Sequence, residues 1–165
     1  MKKVCILTSS HSPFDSRIFH KEAKTLAAND YKVALIVQHD KREIVDGVEI
    51  FPLPISRKRY KKMTVGVWKA FLLGLKQKAD VYHFHDPALI PVGIALKLFG
   101  KRVIYDVHED VPKQILSKEW IRSAYLRRVI SFVFNIFEQF STIFFDRIIA
   151  ATPEIAKKFP EKKTI

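Results

Sequence analysis

Six short apolar runs punctuate the chain, and polar or helix-periodic segments separate them. Val4 to Thr8 follows two lysines and has the composition of a buried strand. Lys32 to Val37, Val48 to Leu53, Asp80 to Phe84, Arg102 to Val107 and Arg147 to Ala151 have the same character. Pro52 and Pro54 end the third of these. Between the runs the period changes. Ile18, Ala23 and Leu26 recur at near-helical spacing, predicting a helix over about 17–28 with Asp15 or Ser16 as its cap. Pro87 starts and Gly100 stops a helix over about 88–99, and Pro153 opens a short one near the end. A basic segment from Ser56 to Ala79 predicts another helix, and a long one is expected from Ser117 to Phe145. SSHSPFDS, NDY and DKREIVDG are expected to be loops or turns.

Strand and helix therefore alternate, and the strands are apolar on both faces. That pattern predicts an α/β fold, a Rossmann-like parallel sheet with helices on both faces. In such sheets the ligand crevice lies beyond the carboxyl ends of the strands. Two apolar runs end abruptly in ionisable groups, DVYHFHD and VIYDVHED. His85 and Asp86, His108 with Glu109 and Asp110, and His11 with Asp15 would all open on that one edge. Polar strand endings would thus gather where a substrate can sit.

These side chains suit more than one chemistry. Histidine near neutral pH donates, accepts or carries a proton. Adjacent carboxylates orient it or bind sugar hydroxyls. His83 and His85 share one strand face and Asp86 follows, but the spacing is not that of an established metal motif, so no metal is expected. His83 and Asp110 read as satisfied structural polar groups. The first strand-to-helix loop contains no glycine, and neither the dinucleotide fingerprint nor the P-loop pattern occurs, which argues against an NAD enzyme or an NTPase.

Composition narrows the class. A chain of 165 residues that is 48% hydrophobic can build a full core. Its net charge of +12 favours anionic partners. The single cysteine, Cys5, lies within the first apolar run and is expected to be a small core residue in a reducing compartment. No run approaches the roughly 18 uncharged apolar residues of a membrane span. Nucleic acid is not expected, because no helix-turn-helix, zinc or RNP pattern appears.

Three segments carry a family resemblance. HSPFDSRIFHKEAKTLAANDYKVALI resembles the opening of the GT-B glycosyltransferases of family 4, in the branch with Asp-x-Arg-Ile after the first strand. DVYHFHDPALIPVGIALKLFGKRVIYDVHED resembles that branch's middle section, and DRIIAATPEIAKKF the segment before its interdomain crossing. The resemblance implies that residues 1–165 are the N-terminal, acceptor-side domain of a GT-B enzyme whose donor-binding domain lies outside this chain. It implies retaining transfer from a nucleotide-sugar donor, without cofactor or metal, to a glycan or lipid-linked acceptor in cell-surface polysaccharide biosynthesis. The isolated chain is then expected to be inactive.

Residue by residue, His108 matches the family histidine that faces the transferred sugar. Asp15 and Arg17 match the loop below the donor phosphates, where Arg17 would offset phosphate charge. The Gly-Gly pair common in that loop is absent here. His85, Asp86 and Glu109 match the acceptor side.

Two segments point to a surface. RKRYKK, Arg57 to Lys62, has five basic residues in six, and Trp68 follows. Arg57, Lys58, Arg59, Lys61, Lys62 and Trp68 are candidate contacts with an anionic membrane, the alternative being a solvated helix face. In the long helix, Ile121, Tyr125, Val129, Phe132, Ile136, Phe140 and Ile143 form one face, expected to pack in the core. Leu126, Ile130, Val133, Phe137 and Phe144 widen it, towards another domain, a membrane or a partner. Arg122, Arg127 and Arg128 near its start favour anionic lipid, the alternative being a long helix buried on two sides. The location implied is cytoplasmic and peripheral at the inner membrane face. The rival readings are a nucleotide-sugar epimerase half, with soluble substrates, and a non-catalytic module that binds anionic membranes.

Overall fold

Parallel strands hold the centre of the molecule, as a computed structural model describes it over residues 1–55 and 62–165. Arg57, Lys58, Arg59 and Lys61 fall outside the described residues, as does the side chain of Lys62. The strands are β1 (Lys3–Leu7), β2 (Lys32–Gln38), β3 (Glu43–Val45), β4 (Val48–Leu53), β5 (Val81–Phe84), β6 (Arg102–Val107) and β7 (Arg147–Ala150). They form one sheet in the order β3-β4-β2-β1-β5-β6-β7. All neighbours are parallel except β3 and β4.

The six apolar runs thus become the six parallel strands. β3 was not expected, since DKREIVDG has loop composition. It pairs with β4 because Asp46 and Gly47 both take positive φ, 50° and 78°, as a tight hairpin turn requires. Asp-Gly was the available signal.

Helix α1 begins with π-type turns at Ser16–Ala23 and ends as Lys24–Ala28. The Asp15 side chain caps it, accepting from the N–H groups of Arg17 and Ile18. Helix α2 is Val67–Gln77, α3 is Ile90–Leu98, α4 is Val111–Leu116, α5 is Ala124–Ser141 and α6 is Pro153–Ala156. Alternate strand residues feed two cores. Val4, Ile6, Val33, Leu35 and Ile50 pack under Ile18, Phe19 and Ala23 of α1. Cys5, Leu7, Tyr82, Phe84, Tyr105 and Val107 point the other way, against Ala70 of α2, Leu96 of α3 and Phe145. Cys5 is a buried core residue, and burial pushes its thiol up.

The long helical segment departs from expectation in two ways. Residues 117–123 are not helical, and Ser123 caps α5 instead, accepting from the N–H of Leu126. The face expected in the core points outward: Tyr125, Phe132, Ile136, Phe140 and Ile143 are all more than half exposed. Of that set Ile121 is buried. The inward side carries Ser131, Glu138 and Ser141. Ser131 donates to the Pro112 carbonyl at 2.7 Å, and the Tyr105 hydroxyl donates to Glu138 at 2.9 Å. Burial raises the Glu138 carboxyl despite that bond. A helix with one polar and one apolar side can present either to a sheet, and here specific bonds decide it. Among the described residues no helix is long and apolar enough to cross a membrane.

Gly93 brings α3 close to the sheet beneath the functional edge. A Cβ there would lie 2.6 Å from Phe84 Cε1 and 3.0 Å from Phe145 Cε1. Phe84 in turn stacks on Tyr105, with centroids 4.6 Å apart. Gly93→Ala is expected to destabilise the protein by about 1–3 kcal/mol through overpacking. A urea midpoint at or above that of the parent would contradict this packing.

Candidate functional site

Three loops leave the sheet at its carboxyl edge, after β1, β5 and β6, and meet there. Asp86 holds the first two together. Its Oδ2 accepts from the Thr8 hydroxyl at 2.9 Å, the Ser9 hydroxyl at 3.3 Å and the Ser9 N–H. Its Oδ1 accepts from the Ser10 hydroxyl and lies 3.3 Å from His11 Nδ1. Burial alone would raise this carboxyl, but the bonds from His11, Ser10 and Ser9 outweigh it and hold it well below the usual carboxylate range. The hydrogen bond to Asp86 raises the His11 imidazole above its ordinary value, with burial opposing.

Beneath this hinge lies a second group. Asp106 of β6 is fully buried and on the same sheet face as His83 of β5, the face that α1 covers. Arg17 of α1 donates to Asp106 Oδ2 at 2.8 Å and has its Nε 3.3 Å from Glu22 Oε1. His85 Nε2 lies 3.2 Å from Glu22 Oε2, and His83 lies 3.8 Å from both Glu22 and Asp106. Burial would raise the Asp106 carboxyl, yet His108, His83, His85 and Arg17 together hold it far below the usual range. Burial lowers the His85 imidazole against the pull of Glu22.

His108 stands above this group, with Nδ1 3.5 Å from Asp106 Oδ1 and its ring 5.0 Å from that of His11. It opens on a cleft of about 840 Å³. Ser9, Ser10, His11, His85, Asp86, His108 and Glu109 line the polar end. Trp120 and Ile121, ahead of α5, and Ile130, Phe134 and Phe137 along it are the cleft's apolar lining. The arrangement can hold a polyol against histidines and a carboxylate while an apolar group lies alongside.

The fold thus gathers His85, Asp86, His108 and Glu109 at one cleft. Asp15 caps α1 and Arg17 pairs with Asp106, so neither lines that cleft. Trp68 is exposed on α2. Asp110 is the structural group expected, capping α4 and pairing with Lys158 at 2.8 Å. His83 is not satisfied as expected, because its Nε2 has no hydrogen-bond partner. Glu22 and Asp106 were missed. A carboxylate inside the apolar run VIYDV was the signal, since burying one requires partners.

The family model for Glycosyltransferase Family 4 matches residues 16–163. A solved sucrose-phosphate synthase from Thermosynechococcus elongatus is similar in structure, with TM-score 0.65 and 16% identity over 93% of this chain and 43% of that one. A second structure of sucrose-phosphate synthase from that organism gives TM-score 0.57 and 14% identity, covering 93% of this chain and 78% of that one. At these identities the likeness is one of fold. The chain spans less than half the length of the first structure. No curated protein matches it.

The Asp86 hinge makes two measurable demands. Asp86→Ala strands several buried donors and is expected to cost about 3 kcal/mol in urea unfolding. In NMR titrations His11 should titrate above 6.5, its ordinary value, and drop back in Asp86→Asn. A raised histidine pKa adds stability that is fully present below 6.5 and is lost as pH rises through the folded-state value. An unmoved His11 midpoint in Asp86→Asn would remove the pairing.

Proposed function

This chain belongs to glycosyltransferase family 4, and from that premise we propose that it is the acceptor-side half of a retaining GT-B enzyme. The donor-binding half lies outside residues 1–165, a reading supported by the small share of the sucrose-phosphate synthase chain that this one covers. The enzyme moves a hexosyl group from a nucleotide-sugar to a glycan or lipid-linked acceptor in cell-surface polysaccharide biosynthesis. The observation that carries this is the cleft, with a polar floor at His85, Asp86 and His108 and an apolar wall at Trp120, Ile130 and Phe137. A lipid-linked acceptor needs both ends.

In the reaction, an acceptor hydroxyl oxygen bonds to the anomeric carbon as the bond from that carbon to the donor phosphate breaks. The nucleoside diphosphate leaves with the bonding pair, and the acceptor proton passes to the leaving phosphate. His108, half-buried and backed by Asp106, donates a hydrogen bond to the transferred sugar. Asp86 and His85 shape the acceptor side, and Glu109, exposed at the rim, contacts acceptor hydroxyls. Arg17 and Asp15 set the donor-side loop, with no metal at the donor phosphates. Fixed positive groups stabilise the departing phosphate, most of them in the other half.

The outward face of α5 supports a peripheral position on the cytoplasmic side of the membrane. Phe132, Ile136 and Phe140 are exposed, and exposed Arg122 and Arg128 lie near its start. Such a face inserts at an anionic interface with its arginines at the headgroups.

In the complete enzyme, His108→Ala should lower turnover about 100-fold or more, as loss of one transition-state hydrogen bond does, while circular dichroism stays unchanged. Unaltered sugar transfer would remove His108 from the mechanism, and transfer by residues 1–165 alone would contradict the two-half reading. In flotation with vesicles of equal parts phosphatidylcholine and phosphatidylglycerol, the protein should float, whereas Phe132→Asp with Phe140→Asp should stay at the bottom. Equal flotation of parent and variant would sink the α5 contact.

A further inference from the structure

The group under the cleft floor contains more ligand atoms than hydrogen bonds. Glu22, His83, His85 and Asp106 each offer one ligand atom, and those atoms lie within 4.8 Å of one another. Arg17 reaches one oxygen of each carboxylate, Asp106 Oδ2 and Glu22 Oε1. The other two oxygens, Glu22 Oε2 and Asp106 Oδ1, are buried and without a hydrogen-bond partner. The His85 side chain has no exposure, and neither of its ring nitrogens has a hydrogen-bond partner. A buried imidazole between two carboxylates would ordinarily close to hydrogen-bond distance. Here only His85 Nε2 and Glu22 Oε2, 3.2 Å apart, are within reach, and they form no hydrogen bond; the other nitrogen-to-oxygen spacings are 3.8 to 4.0 Å.

Those spacings fit a shared cation better than a direct bond. Around a tetrahedral first-row ion with ligand bonds near 2.0–2.1 Å, donor atoms sit about 3.3 Å apart. The four donor atoms lie within 4.8 Å of one another, so the widest gap would close by at most about 1.5 Å on binding. Charge agrees too, since two carboxylates and one guanidinium leave a net negative site for neutral imidazoles to share. Imidazole with carboxylate suits zinc and its first-row neighbours.

We propose that Glu22, His83, His85 and Asp106 bind one first-row divalent cation, zinc being the probe, as a structural ion that pins α1 to the ends of β5 and β6. The side chains of His85 and Asp106 have no exposure and only Glu22, at 22%, reaches solvent appreciably; with four protein ligands, as structural sites have, the ion takes no part at the donor phosphates. It holds Asp106 in place behind His108. This site does not depend on the transferase reading.

The test starts with the full protein stripped by chelator and dialysed against zinc. One ion per chain is expected, with a higher melting temperature. His83→Ala with His85→Ala should weaken binding by at least about 100-fold, the upper end of what losing even outer-shell partners costs. His11, His20, His39 and His108 remain in that variant, so undiminished binding there would mean surface histidines hold the ion and would overturn the site. If the variant fails to fold, anomalous diffraction from zinc-loaded parent crystals decides. A peak bonded to His85 and Glu22 supports the proposal. No ion, or a peak elsewhere, overturns it and leaves a buried ion-pair network.

Discussion

The buried carboxylate of Asp86 is the contact on which the carboxyl edge depends. A charge removed from water must find partners nearby, and this one takes all of them from the loop after β1. Thr8, Ser9 and Ser10 converge on it across a sequence gap of 76 to 78 residues, and His11 joins them. That loop has no glycine with which to adopt a phosphate cradle, and its course is set by donation to Asp86 instead. The loop then delivers Asp15 to cap α1 and so aims Arg17 and Glu22 at the sheet.

A second layer of buried charge follows from the first. Once α1 starts where Asp15 puts it, Arg17 meets Asp106 and Glu22 meets His85. The covered sheet face is apolar beneath the middle of α1 and ionic towards the carboxyl edge. His108 sits where the ionic layer reaches the cleft. The chemistry of the cleft floor is therefore anchored to the fold of α1, which contributes no residue to the cleft lining.

On the opposite face, α5 inverts the usual arrangement. Its polar stripe packs inward through Ser131 and Glu138, and its aromatic stripe faces outward. Tyr105 connects the two themes. Its ring stacks on Phe84 in the core, and its hydroxyl bonds Glu138. The apolar wall of the cleft continues into the exposed face of α5, so in the proposed reading acceptor binding and surface attachment share one element.

The six parallel strands, the burial of Cys5 and the edge bearing His85, Asp86 and His108 were legible in the sequence, whereas the antiparallel β3 was not. Apolar run length, capping residues and strand-end polarity are local properties, and local composition determines them. Family membership was legible as well, because motif order and spacing lie along the chain. The partners of Asp106 were not, since Arg17 reaches it across 89 residues and only the sheet order puts them together. Nor was the orientation of α5, because helical period shows that two faces differ without showing which one meets the sheet. The tertiary structure decided that through Ser131 and Glu138, whose bonds to Pro112 and Tyr105 form only if the polar side packs inward.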